Sequence, residues 1–163
     1  MRPVEAKEQL CQWLRKRGIA AIQNDLGERH AVRSADGEEC LLWLPEQDTT
    51  LFVFVLVAEL TMPRDNGILT LAMALNLEPS RTQGASLGYN PGSNQLMLRS
   101  VHPMGDLDEP ALDRIMTQMS ALAGGLRLYI DAYRHKETAN RREQQGPLLS
   151  SALHPSARLF RAG

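Results

Sequence analysis

The sequence predicts an α+β fold in the order α-β-β-β-α-β-β-α, a five-stranded, mainly antiparallel sheet packed with helices and assembled as a homodimer. Three observations carry this. The run Leu51 to Val57 is uninterruptedly apolar and rich in the β-branched and aromatic residues that favour strands. Two segments, "ERHAVRSADGEECLLWLPE" and "ASLGY" to "QLMLRSV", read as hairpins, with Asp36-Gly37 as the turn signal in the first and Asn90, Pro91, Gly92 and Asn94 in the second. Leu112, Ile115, Met116, Met119, Leu122, Ala123, Leu126 and Ile130 recur at spacings of three and four, the period of a long amphipathic helix.

Taken in order, the first element is a helix between Pro3, suited to a first helical turn, and Gly18, suited to the position just past a helix end. Leu10, Cys11, Trp13 and Leu14 gather on one side of it. The first hairpin follows, and then the strand through Leu51 to Val57, which is apolar on both alternating faces and so is expected to be central and covered on both sides. The second helix, Ile68 to Leu77, is apolar nearly all round, with only Thr70 and Asn76 interrupting. Such a helix must be covered all round. The first and last helices cover one sheet face between them, so the expected cover is the same helix of a second copy in a twofold dimer. Ile68, Leu71, Ala72 and Leu75 are the candidate interface residues. After Gly84 comes the second hairpin, and Asp108 caps the closing helix with Pro110 in its first turn. Gly124-Gly125 inside that helix costs about 1 kcal/mol per residue relative to Ala and reads as a site of close backbone packing.

Length and composition bound the function. A chain of 163 residues, 43% hydrophobic, suffices for one domain with a core. No stretch reaches the roughly 20 apolar residues needed to span a bilayer, and "MRPVEAKEQLCQWLRKRG" has no apolar signal core. The expectation is a cytoplasmic protein without membrane insertion. Cys11 and Cys40, without a neighbouring ligand at metal spacing, read as reduced core residues. The net charge of -1 hides a split: residues 134–163 hold six Lys/Arg against two acids, leaving 12 basic and 17 acidic residues in 1–133. An acidic body argues against nucleic acid as a partner. From Arg134 the sequence also loses periodicity. The expected organisation is an α+β domain over 1–134 and a basic, flexible tail over 135–163, to which the apolar cluster "PLLSSALHPSARLF" could add a strap.

Enzyme chemistry finds no constellation. His30, His102, His135 and His154 are scattered; no Ser or Cys sits in a nucleophile elbow; "GASLGYNPG" lacks the Lys of a phosphate loop; no zinc spacing occurs. His102, before Pro103, reads as a solvated strand-end histidine. Glu38-Glu39 and Asp108-Glu109 read as a strand-start charge and a helix cap. No catalytic residue, metal site or cofactor is expected.

The element order, "LTLAMALNLEP" followed by "GASLGYNPGSNQLMLRS", and the closing helix after "LDEPALDRIMTQMSALAGGL" resemble the class I type III secretion chaperones, the Tir chaperone family, over residues 4 to 134. Leu87-Gly88 and Leu96-Leu98 match the family's glycine-led hairpin. The resemblance implies a cytoplasmic homodimer of a Gram-negative bacterium. It would bind the N-terminal region of one or several secreted effectors in extended form and deliver them without nucleotide to the export apparatus, whose ATPase or another component is a further candidate partner. An extended segment can add a strand to a sheet edge and seat alternate side chains in apolar grooves. The expected groove lies where helix one meets the first hairpin, at Leu14, Ile19, Ile22, Val32, Leu42 and Leu44, with an acidic rim favouring basic segments. The alternative is a regulator that sequesters another cytoplasmic protein through the same groove.

Overall fold

Local signals set the ends of each element in a computed structural model that describes residues 1–19 and 29–150. Helix α1 (Pro3–Lys16) has Pro3 in its first turn, and the Glu5 carboxylate accepts the Arg2 backbone N–H at 2.8 Å. It stops at Gly18, whose φ of +75° only glycine adopts cheaply. The Gly18 N–H reaches the Arg15 carbonyl and the Ile19 N–H the Leu14 carbonyl, each at 3.0 Å, so the last turn's acceptors are satisfied. Strands β1 (His30–Arg33) and β2 (Glu39–Trp43) form the first hairpin around Gly37, at φ +85°. Strand β3 (Thr50–Glu59) and helix α2 (Asn66–Asn76) follow, then a single turn, α3 (Pro79–Thr82), that the sequence pattern does not announce. Strands β4 (Ser86–Asn90) and β5 (Gln95–Pro103) make the second hairpin, and a 3-10 turn (Met104–Asp106) leads to helix α4 (Glu109–Ser150). Asp108 caps α4 as expected: its Oδ1 accepts the Ala111 N–H at 2.7 Å.

The five strands lie in the order β1-β2-β3-β5-β4, every pair antiparallel, with β3 at the centre. The predicted α+β class and five-stranded sheet are what the chain adopts. Residues paired across an antiparallel ladder share a face. Cys40, Leu42, Val53, Val55 and Leu98 therefore line one face, and all are buried. The Cys40 Sγ lies 3.9 Å from the Met116 carbonyl and 3.8 Å from the Ser120 hydroxyl, so α4 covers this face. Leu112, Met116, Met119 and Ala123 are buried there, each large side chain contributing roughly 1.5–3 kcal/mol. Helix α1 is tied to the start of α4 by Arg17 to Asp113 at 2.6 Å, Lys16 to Glu109 at 2.7 Å and the Gln9 amide to the Leu107 carbonyl at 3.0 Å.

Two polar side chains complete the sheet's hydrogen bonding. A bulge between Leu56 and Ala58 interrupts the β3–β5 ladder. There the Leu56 carbonyl accepts Arg127 Nη2 at 2.5 Å, while the same guanidinium donates to both Glu38 carboxylate oxygens at 3.0 and 2.6 Å. On the outer edge of β4, the Asn76 carboxamide donates to the Leu87 carbonyl at 3.0 Å and accepts the Leu87 N–H at 2.7 Å. It occupies the place a neighbouring strand's peptide would take.

Helix α2 is less uniformly demanding than its sequence suggests. Ile68, Ala72 and Leu75, spaced four and three apart, are only 1, 6 and 3% exposed within the single chain. These three of the four expected interface residues thus serve the chain's own core. Leu71 is half-buried, and the large apolar side chains left exposed are Met73 and, just past the helix end, Leu77, at 73 and 84%.

Other expectations divide. Cys11 and Cys40 are buried free thiols whose pKa values burial pushes up. Gly124 and Gly125 make no close approach, since a Cβ added at either would meet nothing within 4 Å. The chain divides into two compact units, Met1–Leu128 and one beginning at Tyr129. Helix α4 runs past Arg134 to Ser150, so residues 135–150, expected to be irregular, are helical. The periodicity disappears there because residues 138–146 bury nothing. The helix is braced here by pairs along its own surface instead, the Tyr133 hydroxyl donating to Glu137 at 2.9 Å and Arg141 pairing with Glu137 at 3.6 Å. The residues beyond Ser150, with most of the suggested strap, lie outside the described residues. Among the described residues no helix is long and apolar enough to cross a membrane.

Candidate functional site: the open face of the sheet

Strand alternation that buries one face presents the other. Phe52, Phe54 and Leu56 of β3 and Leu41 and Trp43 of β2 share that second face and are half-buried, and Val101 of β5 beside Phe52 is exposed. Strand β3 is therefore covered fully on one side only, against the expectation of two. The aromatic rings form a row: Trp43 and Phe52 have centroids 5.2 Å apart, Phe52 and Phe54 6.4 Å. Such contacts fix ring orientation and present a broad apolar floor.

Two guanidinium groups stand on this floor. The Arg29 Cζ lies 4.7 Å from the Phe54 centroid and 5.9 Å from that of Trp43, and the Arg99 Cζ 5.8 Å from Phe52. Both belong to a cleft of about 590 Å³ whose walls include Phe54, Asn76, Gly88 and Met97. Gly88 pairs with Met97 across the β4–β5 ladder, and a Cβ there would meet nothing within 4 Å. The missing side chain keeps the cleft wide rather than relieving a clash.

The expected groove residues fall elsewhere. Leu14, Val32, Leu42 and Leu44 are fully buried core residues. Ile19 is half-buried at the end of α1, and Ile22 lies outside the described residues. Reading Leu42 and Leu44 rather than Leu41 and Trp43 is a one-residue phase choice that exchanges the two faces. The signal that distinguishes them is the aromatic alternation Trp43, Phe52, Phe54, together with the nearby Arg29.

His102 is not a solvated strand-end residue. It lies half-buried on the α4 side of β5, in a cavity of about 130 Å³ with Ile115 and Met119, and its Nε2 is 2.9 Å from the Ser100 hydroxyl. Burial pushes its pKa below the usual 6.5. Neither ring nitrogen meets a carboxylate among the described residues, so the arrangement has no orienting acid of the kind a nucleophilic serine requires. Among the described residues, no group of three or more His, Cys, Asp or Glu could hold a metal ion.

Comparison with known proteins gives the family of the fold. Residues 10–127 match the family model described as the Tir chaperone protein (CesT) family. No curated protein matches the chain in sequence. Among solved structures, the chain is similar to one in the HopA1-SchA chaperone-effector complex, at 19% identity over 77% of this chain and 94% of that one, with a TM-score of 0.56. It is similar to one in the ExsC-ExsE complex, at 12% identity over 78 and 95% of the two chains, TM-score 0.59. A third likeness is to the heterodimeric ExoU-SpcU complex from the type III secretion system of Pseudomonas aeruginosa, at 16% identity over 71 and 93%, TM-score 0.52. At these identities the shared property is the fold.

Proposed function

Since this chain belongs to the Tir chaperone protein (CesT) family, we propose that it is a type III secretion chaperone. It holds the N-terminal region of a secreted effector in extended form and delivers it to the export apparatus. The observation that carries this is the half-buried aromatic face of the sheet, a contiguous row of Trp43, Phe52 and Phe54 with the exposed Val101 beside it, the kind of apolar patch that marks a binding surface. An extended chain suits it, because alternate side chains meet a pleated surface at the period of the strand itself. The chaperone-effector complex among the similar structures supports the same reading.

The working unit is a homodimer in this proposal, formed through the outer side of α2, where Leu71 is half-buried and Met73 and Leu77 are exposed. Binding and release need no bond chemistry, and the side chains supply floor and donors rather than nucleophile or base. Export-apparatus components, the ATPase included, meet the loaded complex.

The test is to isolate the protein with its native bound polypeptide and digest the complex. A protected stretch from the N-terminal region of an exported protein is expected, and Trp43→Ala with Phe52→Ala should abolish the protection while leaving the helical circular dichroism intact. Protection of a protein that is never exported would favour sequestration of a regulator, and absence of any protected stretch would sink the proposal.

A further inference from the structure

Building on the extended-segment reading above, we infer that the open face selects a segment carrying an acidic residue among its apolar ones, with Arg29 and Arg99 as the cations that read it. Both guanidinium groups lie over the aromatic row, the Arg29 Cζ 4.7 Å from the Phe54 centroid and the Arg99 Cζ 5.8 Å from that of Phe52, and both residues are exposed. A cation–π contact takes up no carboxylate, so N–H donors of the fork can still meet a planar one. Arg99 spends one of these on the Ser86 hydroxyl at a long 3.4 Å. Among the described residues neither Arg29 nor Arg99 meets a carboxylate, whereas Arg17 and Arg127 are each paired.

The contrast matters because acids are abundant, 17 against 12 bases in residues 1–133. Toward the described residues, two cations on the same floor keep donors available where many of the body's carboxylates are already paired with other bases. Register gives the geometry its coherence: Arg99 stands directly across from Phe54, the ring under Arg29, so both cations flank one rung of the sheet, and both line the same cleft. An acidic side chain at that rung would meet both forks, while its apolar neighbours two residues away would rest on Phe52 and Leu56. The preferred sign is opposite to that expected of an acidic rim.

Three fluorescein-labelled twelve-residue peptides test this with the full-length protein. They share one alternating leucine-serine sequence and differ at a single central position, Asp, Asn or Lys. The Asp peptide should bind about five- to tenfold more tightly than the Asn peptide and the Lys peptide most weakly, as two partly exposed charge contacts allow. An Arg29→Gln/Arg99→Gln protein should keep the Asn affinity and lose the Asp preference; a preference that survives there would overturn the assignment. Equal binding of all three peptides would overturn acid selection and leave the extended-segment reading standing, while binding of none would overturn both. Acrylamide quenching of Trp43 in the free protein supplies the remaining decision, since Trp13 is buried: a Trp43 that becomes more accessible as the free protein is diluted would show a second copy on this face and overturn the proposal.

Discussion

Asn76 and His102 show how single side chains carry obligations that no local pattern announces. Asn76 interrupts an otherwise apolar helix, and its carboxamide satisfies both polar groups of Leu87. Asn76→Ala leaves those two groups without their partner and should cost about 1–3 kcal/mol of unfolding free energy, read by urea titration; an unchanged midpoint would contradict it. His102 gives a pH dependence. Its native pKa lies below the unfolded value near 6.5, so between the two values the unfolded chain binds a proton that the native chain refuses. Its contribution is complete above about pH 6.5 and is lost as pH falls through the native value. Denaturation at pH 7.5 and pH 5 should therefore show a smaller acid loss for His102→Asn than for the unmodified protein. Neither role was legible in sequence, because both depend on which residue eleven places along, or which helix overhead, the fold brings near. Cys11 and Cys40 were legible, because isolated thiols without ligand spacing have little to do but pack.

At the level of elements, the turns and caps were readable because each is a local transaction: Asp108 needs only Ala111, and Gly37 only its own φ. The faces were not. In α2, eleven mostly apolar residues gave no indication of which third meets the sheet, and the buried stripe proved to be Ile68, Ala72 and Leu75. This makes a sharp prediction. Leu75→Asp buries a charge and should unfold the chain, at several kcal/mol, whereas Met73→Asp, on an exposed side chain, should split the proposed dimer and preserve the circular dichroism. Sedimentation of the two variants decides it, and a Met73→Asp protein that remains dimeric would remove α2 from the interface. The same mechanism acts along β2, where Leu42 and Leu44 are buried in the core and Leu41 and Trp43 face the other side, since all four are apolar and alternation alone cannot choose a side.

For the whole molecule, the fold class was legible because order and period of elements suffice to define it, whereas the site depends on strand order and register. The two ends of the chain differ in what they contribute. The helical residues 138–146 expose their side chains throughout, and exposed charge pairs are worth under about 1 kcal/mol each. Deleting residues 138–163 should leave the thermal midpoint nearly unchanged, within about 2 °C by calorimetry; a larger fall would show that this segment contributes to the stability of the fold. The plugged β4 edge has a last consequence, for supramolecular order. A strand-by-strand polymer propagates only when each recruit offers a fresh growing end. Here Asn76 terminates one side, while among the described residues nothing caps the outer side of β1. A second copy that joined edge to edge at β1 would bring only its own plugged β4 edge, so pairing of this chain with itself would stop at two copies and not run on into a fibril.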